Sequence, residues 1–110
     1  MVIWSKPAKR DLRYIHDYIA FDSKFYAKRV VHDIIKKSES LNDFPLIGRM
    51  VHELEDYDIR EMIVYSYRLI YKVTSSRVEI LALIHGKQDS LSAYTEVHLE
   101  NLVLEKPDLR

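Results

Sequence analysis

The residues with the reach and spacing for chemistry on a charged group are three arginines and a histidine. Arg60, beside Glu61, opens one β-prone run, and Arg68 opens the next. On antiparallel neighbours the two would lie near each other on one face, as a basic floor that positions a phosphate and stabilises its developing charge. The plainer reading is a cross-strand ion pair worth under about 1 kcal/mol. His85 closes a third run ahead of Gly86-Lys87. A histidine there can serve as acid or base near neutral pH, although a structural histidine bonded to a carbonyl is commoner. Gly48-Arg49 is either a turn glycine with a solvated arginine, or a loop arginine offered to a phosphate or carboxylate.

The remaining candidates are weaker. His16, His32, His52 and His98 lack metal-ligand spacing, and without cysteine there is neither a thiolate site nor a disulfide. Tyr65, Tyr67, Tyr71 and Tyr94 belong to an excess of eight tyrosines. Most would pack with a wet hydroxyl, and one or two on an open sheet face could stack on a base. A phosphate-binding glycine loop, a nucleophile elbow and a dinucleotide fingerprint are all missing, which disfavours a metabolic enzyme. No cofactor is expected.

Elements must position these residues. Val2-Ile3-Trp4-Ser5 reads as a short strand, with Ser5 as helix cap and Pro7 in the first turn. Ala8, Leu12, Ile15 and Ile19 then form one helical stripe. Asp22-Ser23 breaks it and caps a second helix carrying Ala27, Val30, Val31, Ile34, Ile35 and Leu41. Helices joined so tightly pack antiparallel, as an αα-hairpin. Residues 45–56 read as a loop. From Tyr57 the apolar period becomes two, and strands follow near 59–65, 67–73 and 78–85, with Thr74-Ser75-Ser76 turning the last pair. The last run is apolar almost throughout, as in a strand buried on both faces. Ser90 or Ser92 would cap a final helix bearing Tyr94, Val97, Leu102 and Val103. The expectation is an α+β fold: an N-terminal αα-hairpin packed on a twisted antiparallel sheet of about four strands, with a short C-terminal helix.

At 110 residues the chain fits one domain, 1–110, able to bury roughly two-thirds of its unfolded surface. Neither a leader nor a membrane-spanning run is expected, and a reducing cytoplasm suits a cysteine-free chain. Net charge is zero, but in blocks: residues 1–37 hold nine Lys/Arg against four Asp/Glu, and residues 38–61 two against seven. A nucleic-acid binder shows a dominant basic excess. A polarised surface suits a charged protein partner at least as well.

Taken in order, several stretches resemble the RelE/ParE superfamily of toxins. They are Ala8-Lys9-Arg10-Asp11-Leu12, the run Pro45 to Leu54 through Gly48-Arg49, Ile59-Arg60-Glu61, Tyr67 to Val73, Val78 to Leu81, and Ile84-His85-Gly86-Lys87. The resemblance spans about residues 3–90. It implies two N-terminal helices on a twisted antiparallel sheet, and the toxin half of a type II toxin–antitoxin pair. The partner would be a small cognate antitoxin that orders as it wraps the toxin, giving a hetero-oligomer. The superfamily has two known targets. RelE-type nucleases cut messenger RNA on the ribosome with basic groups and a tyrosine around the scissile phosphate. Two of those basic positions match Arg60 and Arg68, and the tyrosine matches Tyr94. Another basic position falls on Asp58 and a further arginine on Gln88, so the set is incomplete. Some relatives place a histidine where His85 stands. The ParE branch lacks a nuclease set and poisons DNA gyrase. The Gly48-Arg49, Arg60-Glu61 and His85-Gly86 pieces resemble that branch, with Arg49, Glu61 and Lys87 as binding residues. The reading leans to a ParE-like, non-enzymatic toxin acting on gyrase. The alternatives are a ribosome-dependent endoribonuclease using Arg60, Arg68, His85 and Tyr94, and an inactive member that only binds its antitoxin.

Overall fold

The computed structural model describes residues 1–51 and 54–86. In chain order the elements are β1 (Val2–Trp4), α1 (Lys6–Ala20), α2 (Lys24–Glu39), a 3-10 turn at Ser40–Asn42, β2 (Arg49–Met50), β3 (Ile59–Val64), β4 (Tyr67–Val73) and β5 (Val78–His85). The expected final helix, with Tyr94 and Lys87, lies outside the described residues.

Ser5 starts α1 as its sequence position suggests: its hydroxyl accepts the Ala8 N–H at 3.2 Å, with Pro7 in the first turn. Ser23 does the same for α2 through the Tyr26 N–H at 3.1 Å. The second helix stops at Glu39, so Leu41 enters the core from the 3-10 turn and not from the helix. Ala8, Ile15, Val30 and Ile34 bury the facing stripes of the hairpin against Leu69, Tyr71, Val78, Ile80 and Leu83 of the sheet. Each large aliphatic side chain buried this way contributes roughly 1.5–3 kcal/mol. Ile35, expected on the same stripe, is partly open to solvent.

The fold is α+β, two helices on a mostly antiparallel sheet, but the sheet has five strands, ordered β1-β5-β4-β3-β2. The additional strand is β2, inside the stretch read from sequence as a loop. Its two residues pair Arg49 with Glu61 and Met50 with Arg60. Two residues are too few for any period to register. The sheet is also mixed, because β1 runs parallel to β5. As expected of an interior strand, β5 is buried from Ile80 through Ile84.

One irregularity decides which side chains reach which face. Ile70 pairs with Ala82 while Tyr71 pairs with Ile80, so Leu81 is an extra residue, a β-bulge. Val78 and Ile80 face the helices before it, and Leu83 does so after it. Leu81, Ala82 and Ile84 join Val51, Ile59 and Ile70 in a second cluster. Backbone groups of β5 beyond β1 are met by side chains at the start of α1. The Ser5 hydroxyl donates to the Leu81 carbonyl at 3.3 Å, and the Asp11 carboxylate accepts the Leu83 N–H at 3.1 Å.

Candidate functional site

Residues opposite one another on antiparallel strands share a face, and successive residues alternate. Arg60 pairs with Tyr71 and Met50, which puts it on the face that carries the helices. Arg68 pairs with Ile63 and Ile84, which puts it on the other face. The expectation that Arg60 and Arg68 lie together on one face is therefore corrected. They stand three register positions apart, an odd number, and the pleat separates them.

Arg60 is engaged locally. Its Nη1 donates to the Gly48 carbonyl at 2.9 Å and to the Leu46 carbonyl at 3.4 Å. The Gly48 N–H donates to the Tyr71 hydroxyl at 2.8 Å, in the interior. Burial pushes the Tyr71 phenol above its ordinary range, and the Gly48 bond and the Arg60 charge offset part of that rise. A β-carbon at Gly48 would sit 2.5 Å from the Tyr71 hydroxyl and 2.6 Å from the Glu61 carbonyl. Gly48 thus lets the 44–50 segment lie against the sheet, and Arg60 and Tyr71 fasten it there.

Glu61 is the centre of the charged arrangement. It is only 5% exposed, and both of its oxygens face arginines: Arg49 Nε at 3.4 Å and Arg68 Nε at 3.8 Å. The plainer expectation, a cross-strand ion pair, is met by Glu61 and Arg68, and the second arginine on Glu61 is Arg49, not Arg60, on the face away from the helices. Arg49 is 68% exposed, so the triad carries a net positive charge and offers it to solvent. Two cations on one carboxylate can accept a further anion from a partner, since planar guanidinium groups bind carboxylate and phosphate in pairs.

His85 lies on the helix-side face, because the bulge has reversed the parity of β5. Its ring meets Tyr67 edge-on, with centroids 5.6 Å apart and planes at 84°. Arg60 and His85 share that face but sit opposite Tyr71 and Tyr67 of β4, about 13 Å apart along the strand. The structure therefore brings Arg49, Glu61 and Arg68 together, and separates Arg60, Arg68 and His85. Tyr94 and Lys87 are outside the described residues. Among the described residues, no group of three or more acidic or histidine side chains is placed to hold a metal ion.

The sequence reading missed Tyr71 as the anchor of the Gly48 segment and Asp11 as the cap of β5. Both contacts join residues far apart in the chain, 23 and 72 positions, and no local pattern marks either.

A family profile described as "ParE toxin of type II toxin-antitoxin system, parDE" matches residues 2–90. Among curated proteins the chain has no match. Among solved structures it is similar to a chain of the chromosomal ParDE toxin–antitoxin system from P. aeruginosa. The identity is 21% and the TM-score 0.65, over 76% of this chain and 92% of that one, a likeness of fold. With the profile covering most of its length, the chain belongs to the ParE toxin family of type II toxin–antitoxin systems.

Proposed function

We propose that this ParE-family toxin arrests growth by binding DNA gyrase, without catalysis of its own, and that a cognate ParD-type antitoxin silences it in a toxin–antitoxin hetero-oligomer. Both events belong to the cytoplasm. The observation that carries the gyrase reading is the dispersal of the nuclease candidates. Phosphodiester cleavage needs a base and cations converging on one phosphate. Here Arg60 is spent on the Leu46 and Gly48 carbonyls, Arg68 lies on the opposite face, and His85 stands at the far end of the sheet.

The Arg49–Glu61–Arg68 triad is the proposed contact with the target, with Lys87 following in sequence as a further cation. Glu61 holds the two guanidinium groups in place, so an incoming carboxylate or phosphate would meet them already oriented. The ParDE pairing of the P. aeruginosa relative supports an antitoxin of the same class here.

The test is a plasmid supercoiling assay with purified gyrase, run beside a translation reaction in which messenger cleavage is mapped. The wild-type chain should block supercoiling and leave the messenger intact. Arg49→Ala together with Arg68→Ala should weaken the block by roughly 10-fold or more, the loss typical of a buried or central charge contact. Messenger cut within translated codons, with supercoiling untouched, would replace this reading with the nuclease one.

A further inference from the structure

The two helices form a layer on one face of the sheet, with Ala8, Ile15, Val30 and Ile34 turned inward. At about 3.6 residues per turn, the positions opposite these are 6, 10, 13 and 17 on α1, and 25, 28, 29, 32 and 36 on α2. Lys6, Arg10 and Arg13 therefore line the outside of the first helix, and Lys28, Arg29, His32 and Lys36 the outside of the second. All of them are exposed. From position 28 to position 36 every residue of the outward row is a cation or a histidine. Lys9, Lys24 and Lys37, also exposed, flank the two rows.

This layer holds the basic excess of the chain. Residues 6–39 carry nine Lys/Arg against five Asp/Glu, and the remainder eight against twelve. Two of the five acids are engaged with the sheet. Asp11 accepts the Leu83 N–H at 3.1 Å, and Asp33 accepts the Tyr65 hydroxyl and meets Arg29 only at 4.0 Å. Because the hairpin is antiparallel, Lys36 and Lys37 return to the end where Lys6 and Lys9 stand. The cations thus run along both helices, over about 10–12 Å at a rise of 1.5 Å per residue.

We infer that this outer face of the helical layer contacts the phosphate backbone of duplex DNA, the substrate of the proposed target enzyme. The inference rests on the gyrase reading for its biological setting. Basic residues gathered on one face are the electrostatic footprint of a nucleic-acid contact, even where total charge is zero. A duplex presents a charge about every 1.7 Å of its axis, so the patch faces several phosphates at once. An acidic protein fits less well, since protein interfaces centre on desolvated aromatic or apolar anchors and the charged rows have none. Large apolar side chains do stand open at the hairpin tip, where Phe21 is 92% and Phe25 77% exposed. They lie at one end of the layer, far from Lys6 and Lys36, so a bilayer taking up the tip would leave most of the cations behind. The Arg49–Glu61–Arg68 triad is on the opposite face. One face would meet the enzyme and the other its DNA.

The probe is a short fluorescently labelled duplex of mixed sequence, with anisotropy read over a salt series and without gyrase. The wild-type chain should bind it, and log Kd should rise with log salt by about 0.9 for each phosphate neutralised, about 3–4 in total. Arg13→Gln and Lys28→Gln, one on each outward row, are first checked by thermal melting. Each should weaken binding roughly 3- to 10-fold at low salt and lower the slope by about 1. Arg77→Gln, which removes a cation bound to Glu79 in the turn between β4 and β5, should leave the slope unchanged. No binding of the wild-type chain at low salt would overturn the inference, as would unaltered slopes in both helix variants. Tighter binding to phosphatidylglycerol vesicles than to the duplex would replace it with a membrane contact at the tip. Duplex binding by a chain that leaves supercoiling untouched would uphold the DNA contact and remove only the gyrase reading. A block of supercoiling without duplex binding would do the reverse.

Discussion

Gly48 owes its place to the space available, since its backbone does not lie in the left-handed region. The added methyl in Gly48→Ala would meet a phenol hydroxyl and a strand carbonyl, both closer than any real β-carbon contact. Overpacking of this kind costs about 1–3 kcal/mol, which urea denaturation should register as a lower midpoint with unchanged slope. Trimming the hydroxyl in a Gly48→Ala, Tyr71→Phe pair should not restore stability. The Glu61 carbonyl still blocks the methyl, and the buried Gly48 N–H loses its acceptor. In sequence, Gly48-Arg49 looked like a turn glycine or an arginine on offer. Its closest neighbours are a tyrosine and an arginine from two different strands, and that tertiary fact is invisible to any window around residue 48.

At the scale of elements, the bulge at Leu81 organises both faces. An unbroken β5 would carry Val78, Ile80, Ala82 and Ile84 on one side and turn His85 toward Arg68 on the other. One extra residue reverses the parity beyond it, and His85 goes to the helices. The nuclease alternative implied by the resemblance would need Arg60, Arg68 and His85 together, and the sheet does not bring them together. The β5 run is apolar at nearly every position, so its pattern has no phase to show a slip. The helices were more legible: Ser5 caps α1, Ser23 of the Asp22-Ser23 break caps α2, and Ala8, Ile15, Val30 and Ile34 face the core, although Ile35 is open to solvent and Leu41 lies beyond α2. Caps and stripes are local, and α1 and α2 are long enough for the period to emerge. Asp11 makes the element-scale prediction. Asp11→Ala removes the acceptor of the Leu83 N–H and should cost about 1–3 kcal/mol. Asp11→Asn keeps a side-chain oxygen and should cost less. Hydrogen exchange at Leu83 should accelerate in the first variant and much less in the second.

For the whole molecule, stability at high pH depends on its buried phenols. Tyr67 and Tyr71 are both raised from an ordinary value of 10.0, each chiefly by burial. The folded chain keeps these protons where the unfolded chain releases them. The stabilisation is complete below about pH 10 and is lost as pH climbs through the raised folded values. Denaturant midpoints measured on the alkaline side should fall with pH. In Tyr71→Phe, less stable at neutral pH, the fall should be shallower because one of the raised phenols is gone. Charge is distributed at this scale too. The basic block of residues 1–37 falls on both helices, with Lys6, Lys9, Arg10 and Arg13 on α1 and Lys24, Lys28, Arg29, Lys36 and Lys37 on α2, all exposed on the helical side of the sheet, while the Arg49–Glu61–Arg68 triad lies on the other face. The zero total conceals a separation of charge between the two faces.

The parallel pairing of β1 with β5 imposes an order of events during synthesis. Val2–Trp4 leaves the ribosome early, and its partner Val78–Ile80 is 76 positions behind, a delay of about 4–15 s at roughly 5–20 residues per second. Through that interval the edge of β5 that Ser5 and Asp11 will cap does not exist, and the hairpin has no sheet beneath it. The five-stranded sheet, and with it the packed underside of the hairpin, is therefore completed only once Val78–Ile80 has been made.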